Sequence, residues 1–216
     1  MALPILIIGK SGSGKSASMR NLPPEETAII NVLGKPLPFR SKLQSYTTDD
    51  YKKVQNAMEK AIANGRKIIV IDDAGYLITN QFMRGHSSAG AGNGVFTLYN
   101  QIGDNFWSLI ESIPKIHSNA RVYIMMHEDK NDFGDVRPKT IGKLIDEKVC
   151  IEGMFTICLR CTLQDGKHVF RTQSDGTDTA KSPIGMFPSA EIDNDLLLVD
   201  KTICEYYEED AENETV

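Results

Sequence analysis

The sequence has no long apolar run. Its longest hydrophobic stretches, such as ILII at 5–8 and IIVI at 68–71, are strand-sized. They fall far short of the roughly 20 residues that a membrane-spanning helix requires. No basic segment leads into an apolar core near the N-terminus, so no secretion signal is expected. Cysteine is scarce: Cys150, Cys158, Cys161 and Cys204 are the whole set. Cys158 and Cys161 form a C-x-x-C without a second pair, which is a weak zinc or redox signal. The segment GMFTICLRCTL around them reads as a strand, and residues three apart on a strand face opposite sides. These are expected to be structural thiols in a reducing, cytoplasmic setting.

Positive charge is not in excess either. Lys and Arg number 24 against 29 Asp and Glu, a net charge of −5. Such a balance argues against a strong field for polyanions. The deficit is local. The segment EYYEEDAENETV holds six carboxylates and no basic residue, and without it the remaining chain stands at +1. The expected organisation is one domain over 1–204 and an acidic, disordered tail over 205–216.

What is present is an alternation of strand and helix patterns. PILII, TAIINV (27–32), KIIVIDD (67–73) and RVYIMMH (121–127) read as strands, and KIIVIDD, apolar throughout, is expected to be buried on both faces. Between them, DDYKKVQNAMEKAIANG carries Tyr51, Val54, Met58, Ala61 and Ile62 at helical spacing, with Thr48 or Asp49 as its cap and Gly65 as its end. A second helix is expected from about Val95 to Ile113, limited by Pro114, with Trp107 in the core. Two polar loops, 79–94 and 128–143, follow the third and fourth strands. Near the C-terminus, Asp165-Gly166 is a two-residue hairpin signal between apolar runs. The fold class that follows is α/β: a mainly parallel sheet flanked by helices, with an antiparallel C-terminal hairpin.

The most specific signal follows the first strand. Gly9-Lys10-Ser11-Gly12-Ser13-Gly14-Lys15-Ser16 fits G-x-x-x-x-G-K-[ST]. A chance match in a chain of this length is on the order of one per cent from average residue usage. Its glycines let backbone N–H groups turn inward around anionic oxygens, and a helix starting near Lys15 would add its dipole. Residues Gly9 to Ala17 are therefore the expected cradle for the phosphates of ATP, with Lys15 on the terminal phosphates and Ser16 on Mg²⁺. Asp72 and Asp73 close the third strand, at the sheet edge where ligands sit in open α/β folds. Asp72 is the expected second Mg²⁺ partner, and Asp73 the group that orients or deprotonates the attacking water.

GKSGSGKSASMRNL, KIIVIDD and DTAKSPIGMF together resemble the RecA-like P-loop ATPases encoded in bacteriophage recombination modules, over residues 3 to 187. The resemblance implies an ATPase acting on single-stranded DNA in recombination or annealing, in the host cytoplasm. It also implies a homo-oligomer, ring or filament, and a phage or host single-strand-binding protein as a further partner. By the family's layout, His127 would sense the γ-phosphate, Lys181 would reach into a neighbouring subunit's ATP site, and loops 79–94 and 128–143 would face DNA. Arg84, Arg137, Lys139 and Lys143 are the basic residues in those loops, and Phe82 or Phe133 can stack on a base. The chain departs from the pattern at one point: no acidic residue lies between Glu26 and Asp49, where the family keeps a catalytic glutamate. Slow hydrolysis is expected. Two other readings stay open, a small-molecule P-loop kinase and a nucleotide-binding adaptor with little hydrolysis.

Overall fold

The computed structural model describes residues 1–90, 93–131, 133–141 and 148–213, with side chains to 208. Strand β1, Leu3–Gly9, is buried from Pro4 onward. Its side chains alternate between two apolar clusters, Ile5 and Ile7 on one face and Leu6 and Ile8 on the other. Covered on both sides, it has no use for a polar residue, which is why it reads as a continuous apolar run.

The other strands, in chain order, are β2 (Thr27–Asn31), β3 (Ser45–Thr47), β4 (Ile68–Asp72), β5 (Arg121–Lys130), β6 (Val136–Pro138), β7 (Ile157–Gln164), β8 (Lys167–Arg171) and β9 (Glu191–Asp193). They run in the order β3-β2-β4-β5-β1-β7-β8-β9, with β6 paired to the overhanging end of β5. From β3 to β7 every pairing is parallel. The last strands are antiparallel. β1 and β4 are not neighbours, because β5 stands between them. One strand is thus inserted between the strand that carries the phosphate loop and the strand that ends in Asp72.

Helices α1 (Tyr51–Ala63), α2 (Gly75–Gly85) and α3 (Asn93–Ser112) cover one face, and α4 (Leu196–Asn213) covers the other. In α3, Ile102, Phe106, Leu109 and Ile110 are buried at helical spacing, and Pro114 turns the chain into a short 3₁₀ segment. Trp107, expected in the core, lies on the outer side of this helix and is 43% exposed. The cap of α1 is Asp50, whose carboxylate accepts from the Lys53 N–H at 2.9 Å. Its neighbour Asp49 is engaged elsewhere. The hairpin turn is as expected: Asp165 (φ 50) and Gly166 (φ 77) take the left-handed pair that joins β7 to β8. Cys158 and Cys161 face opposite clusters, so the C-x-x-C is structural.

The two polar loops are corrected. Loop 79–94 is helical over its first part, because Leu77 and Ile78 anchor α2 in the core and the helix runs on to Gly85. Loop 128–143 is a hairpin over its first part, with β5 continuing past His127 and pairing with β6. The tail boundary at 205 falls inside α4, where Glu205 to Glu208 are helical.

At the amino edge of the sheet α4 is pinned by a buried ion pair. The Arg121 guanidinium donates twice to Asp200, from Nε at 2.8 Å and Nη2 at 2.6 Å, and Tyr123 donates its hydroxyl to the same carboxylate at 2.7 Å.

Candidate nucleotide site

Strand register assembles the opposite, carboxyl edge. Asn31 lies beside Asp72, and Gly9 lies beside His127. The phosphate loop leaves β1 in that row, turning on Gly12 (φ 77) and Gly14 (φ 104), conformations that glycine adopts without strain. Gly9 is required for space: a Cβ there would lie 2.5 Å from Ser13 Oγ and 2.6 Å from the Cys161 carbonyl oxygen. The helix expected to start near Lys15 is a six-residue 3₁₀ helix, Ser16–Asn21.

The C-terminal hairpin holds this loop from behind. The Cys161 thiol donates to the Ser13 carbonyl at 2.9 Å, and His168 Nδ1 lies 2.7 Å from the same oxygen. Asn194 donates to Cys161 Sγ at 3.1 Å. Burial pushes the Cys161 thiol up to about 11, so it stays protonated and able to donate.

Lys15 is buried, with Nζ donating to the carbonyls of Gly9 at 2.6 Å and Lys10 at 2.8 Å. Burial lowers its ammonium pKa, and nearby acidic groups pull it back up. Ser16 Oγ donates to Asp72 Oδ1 at 2.9 Å. Burial, followed by the charge of Asp73, raises the Asp72 carboxyl above its ordinary value. A divalent cation there would relieve both. One hydroxyl and one carboxylate are a donor set suited to Mg²⁺, which keeps waters and takes the rest of its shell from substrate phosphates. A cavity of about 320 Å³ opens over Gly12, Gly14, Lys15, Ser16, Asp72 and Asp73. The residues fit a Mg²⁺-bound nucleotide.

Asp73 turns the chain from β4 toward α2 with φ 58, a left-handed conformation uncommon for a residue with a side chain. Its carboxylate, 6% exposed, meets Lys35 Nζ at 2.6 Å and lies 3.7 Å from His127 Nε2. Lys35 thus stands in the site. Burial, and then the charge of Lys15, lower the His127 pKa, which keeps the imidazole neutral at pH 7. Beneath His127, Glu128 is clamped by Arg160 at 2.9 and 3.1 Å, and Arg160 also reaches Asp178 at 3.1 Å. Nothing in the sequence pattern announced this network.

The remaining candidates are dispersed. Arg84 sits on α2 and pairs with Asp49 at 2.6 Å. Phe82, half-buried, is stacked between His86 and Tyr99. Arg137 lies on β6, and Lys139, whose N–H donates to the His127 carbonyl at 2.7 Å, borders a second cavity of about 490 Å³ next to the phosphate loop. Phe133, 92% exposed, lies in the turn between β5 and β6. Lys181 is tied to β7 by paired backbone bonds with Cys158, away from this chain's own phosphate cavity. Lys143 lies outside the described residues.

No curated protein matches the chain. Among solved structures, a KaiC-like protein from the hyperthermophilic archaeon Pyrococcus horikoshii OT3 aligns with 78% of this chain and 76% of its own, at 11% identity and a TM-score of 0.44. A family model described as an AAA domain matches residues 1–184, a span that takes in the phosphate loop, both strand-end aspartates, His127 and Lys181. The chain belongs to this AAA domain family and is a P-loop ATPase.

Proposed function

We propose that this chain binds ATP·Mg²⁺ on Gly9 to Ala17, hydrolyses it slowly, and uses the cycle to act on single-stranded DNA in recombination or annealing. The observation that carries the nucleotide part is the Ser16–Asp72 hydrogen bond at 2.9 Å, directly beside Lys15. Ser16 and Asp72 would hold the ion, which would supply charge neutralisation along the phosphates. The chain's own residues do the rest. Lys15 exchanges the Gly9 and Lys10 carbonyls for phosphate oxygens, the glycine turns present N–H donors, and Asp73 accepts a proton from water. In this reading His127, held neutral, donates its N–H to a terminal phosphate oxygen.

The DNA part is supported by the β5–β6 hairpin. It offers an exposed aromatic ring, Phe133, with Arg137 on the return strand and Lys139 just after it, the combination of stacking platform and phosphate contact that single strands use. Lys139 also joins this hairpin to the cavity bordering the phosphate loop, which would let nucleotide state and DNA contact report on each other. In this reading the chain works as a homo-oligomer, ring or filament, with Lys181 presented to a neighbour's nucleotide. It is phage-encoded, acts in the host cytoplasm, and meets a single-strand-binding protein of phage or host. Among the described residues, no helix is long and apolar enough to cross a membrane. One observation favours a second reading, a small-molecule kinase: the neighbouring cavity, lined by Lys10, Tyr76, Thr79, His127 and Lys139, has room for an acceptor.

The test is ATP turnover with and without single-stranded DNA, for the wild type and for Arg137→Ala with Lys139→Ala. DNA should stimulate the wild type several-fold, and the double variant should keep basal turnover while losing the stimulation. Turnover indifferent to DNA, with phosphate appearing on a small acceptor, would favour the kinase.

A further inference from the structure

Lys35 is held over the nucleotide site by features that serve no other visible purpose. Gly34 precedes it at φ +67, and a Cβ there would lie 2.9 Å from Thr47 Cγ2, so only glycine makes this turn. Asn31, 3% exposed at the end of β2, ties the turn from within. Its Nδ2 donates to the Lys35 carbonyl at 2.7 Å, and its Oδ1 accepts from the Gly34 N–H at 2.8 Å. The Val32 N–H donates to the Asp72 carbonyl at 3.2 Å, which fastens the same turn to β4. The backbone is thus fixed on three sides while the side chain stays open. Lys35 is 60% exposed, and it borders the same cavity as Gly12, Gly14, Lys15 and Ser16. The segment between Glu26 and Asp49 has no carboxylate, so the charge this turn brings to the site is positive.

We propose that Lys35 is a further catalytic cation of this ATPase, supplied in cis: when a nucleoside triphosphate binds, its ammonium passes from Asp73 to the terminal phosphate and frees Asp73 as the proton acceptor. The inference rests on the nucleotide reading above. A single-point pair with one partner in solvent is weak, so exchanging it for a more highly charged phosphate costs little. The water oxygen bonds to the terminal phosphorus while the bond from that phosphorus to the bridging oxygen breaks. The diphosphate leaves with that electron pair, and the water proton goes to the Asp73 carboxylate. Lys35 keeps its proton and offsets the phosphoryl charge, as preorganised cations do in phosphoryl transfer. The Asp73 carboxylate already holds the Lys35 ammonium above its ordinary value, so it remains a cation at neutral pH.

The experiment compares equilibrium binding of a non-hydrolysable ATP analogue and of ADP, both with Mg²⁺, in the wild type, Lys35→Ala, Lys35→Arg and Lys15→Ala, followed by turnover at saturating ATP. Lys35→Ala should lower the preference for triphosphate over diphosphate by roughly 10-fold and slow turnover by about 100-fold, the scale of losing one charge-stabilising group. Lys35→Arg should keep the preference. If Lys35→Ala leaves that ratio unchanged while Lys15→Ala has lost binding, the Lys35 role falls and the nucleotide reading stands. If the wild type binds neither nucleotide, both fall.

Discussion

Two ion pairs mark the two edges of the parallel sheet, and they are built for opposite purposes. Arg121 and Asp200, at the amino edge, are 10% and 6% exposed, joined by two parallel hydrogen bonds and completed by Tyr123. Lys35 and Asp73, at the carboxyl edge, meet through one contact, and the lysine is 60% exposed. β5 carries residues of both edges, Arg121 at its start and His127 level with the end of β1. A bidentate guanidinium in a dry setting is a fastener, because neither partner can leave without stranding a buried charge. A lysine reaching in from solvent can leave and be rehydrated. Fixed charge at one edge holds the fold, and exchangeable charge at the other leaves room for a phosphate.

The contrast breaks most sharply at the fastener. Asp200→Ala leaves Arg121 buried and unpaired and should cost about 3–5 kcal/mol in denaturant unfolding, the range for a broken buried pair. The fraction that remains folded should still bind nucleotide with wild-type affinity. Loss of affinity in that fraction would mean the two edges are coupled.

At the carboxyl edge an intermediate effect of opposite sign is expected. Asp72 has its folded pKa raised, so any stability it lends is present below the ordinary carboxylate value and is lost as pH rises through the folded value. At pH 7 its charge therefore weighs against the nucleotide-free fold. Asp72→Asn should raise stability by about 1 kcal/mol, as relief of a strained functional site commonly does, while abolishing Mg²⁺-dependent turnover. An unchanged or lower unfolding midpoint at pH 7 would show that the site stores no such cost. The smallest effect belongs to the exchangeable pair itself: Lys35→Ala should move stability by less than about 1 kcal/mol, the scale of a pair whose cation lies in solvent.

The parts of this design that were legible in the sequence are those whose signal is contiguous. The phosphate loop is one unbroken motif, Asp72 follows directly on an apolar run, and Asp165-Gly166 sits between two strand patterns. Burial on both faces made the central strands readable, and the three-residue spacing of Cys158 and Cys161 correctly set them on opposite faces. The parts that were hidden depend on register and long-range contact. Lys35 lies in a turn with no periodicity, and only the pairing of Asn31 with Asp72 brings it over Asp73. His168 lies in a strand pattern with no local signal for a site, and only the fold of the hairpin brings it to the Ser13 carbonyl. Segment 79–94 read as a loop because its composition is polar and glycine-rich, yet the buried Leu77 and Ile78 just before it anchor α2 and extend it to Gly85.

The central claim is that the Lys15, Ser16 and Asp72 arrangement is a site for a Mg²⁺-bound nucleoside triphosphate. Titration of a fluorescent ATP analogue into wild type and Lys15→Ala, with Mg²⁺ and then with excess chelator, tests it directly. The account predicts saturable binding by the wild type, weakened at least 10-fold by the chelator and lost in Lys15→Ala. Equal binding by the two proteins, or binding indifferent to Mg²⁺, would contradict it.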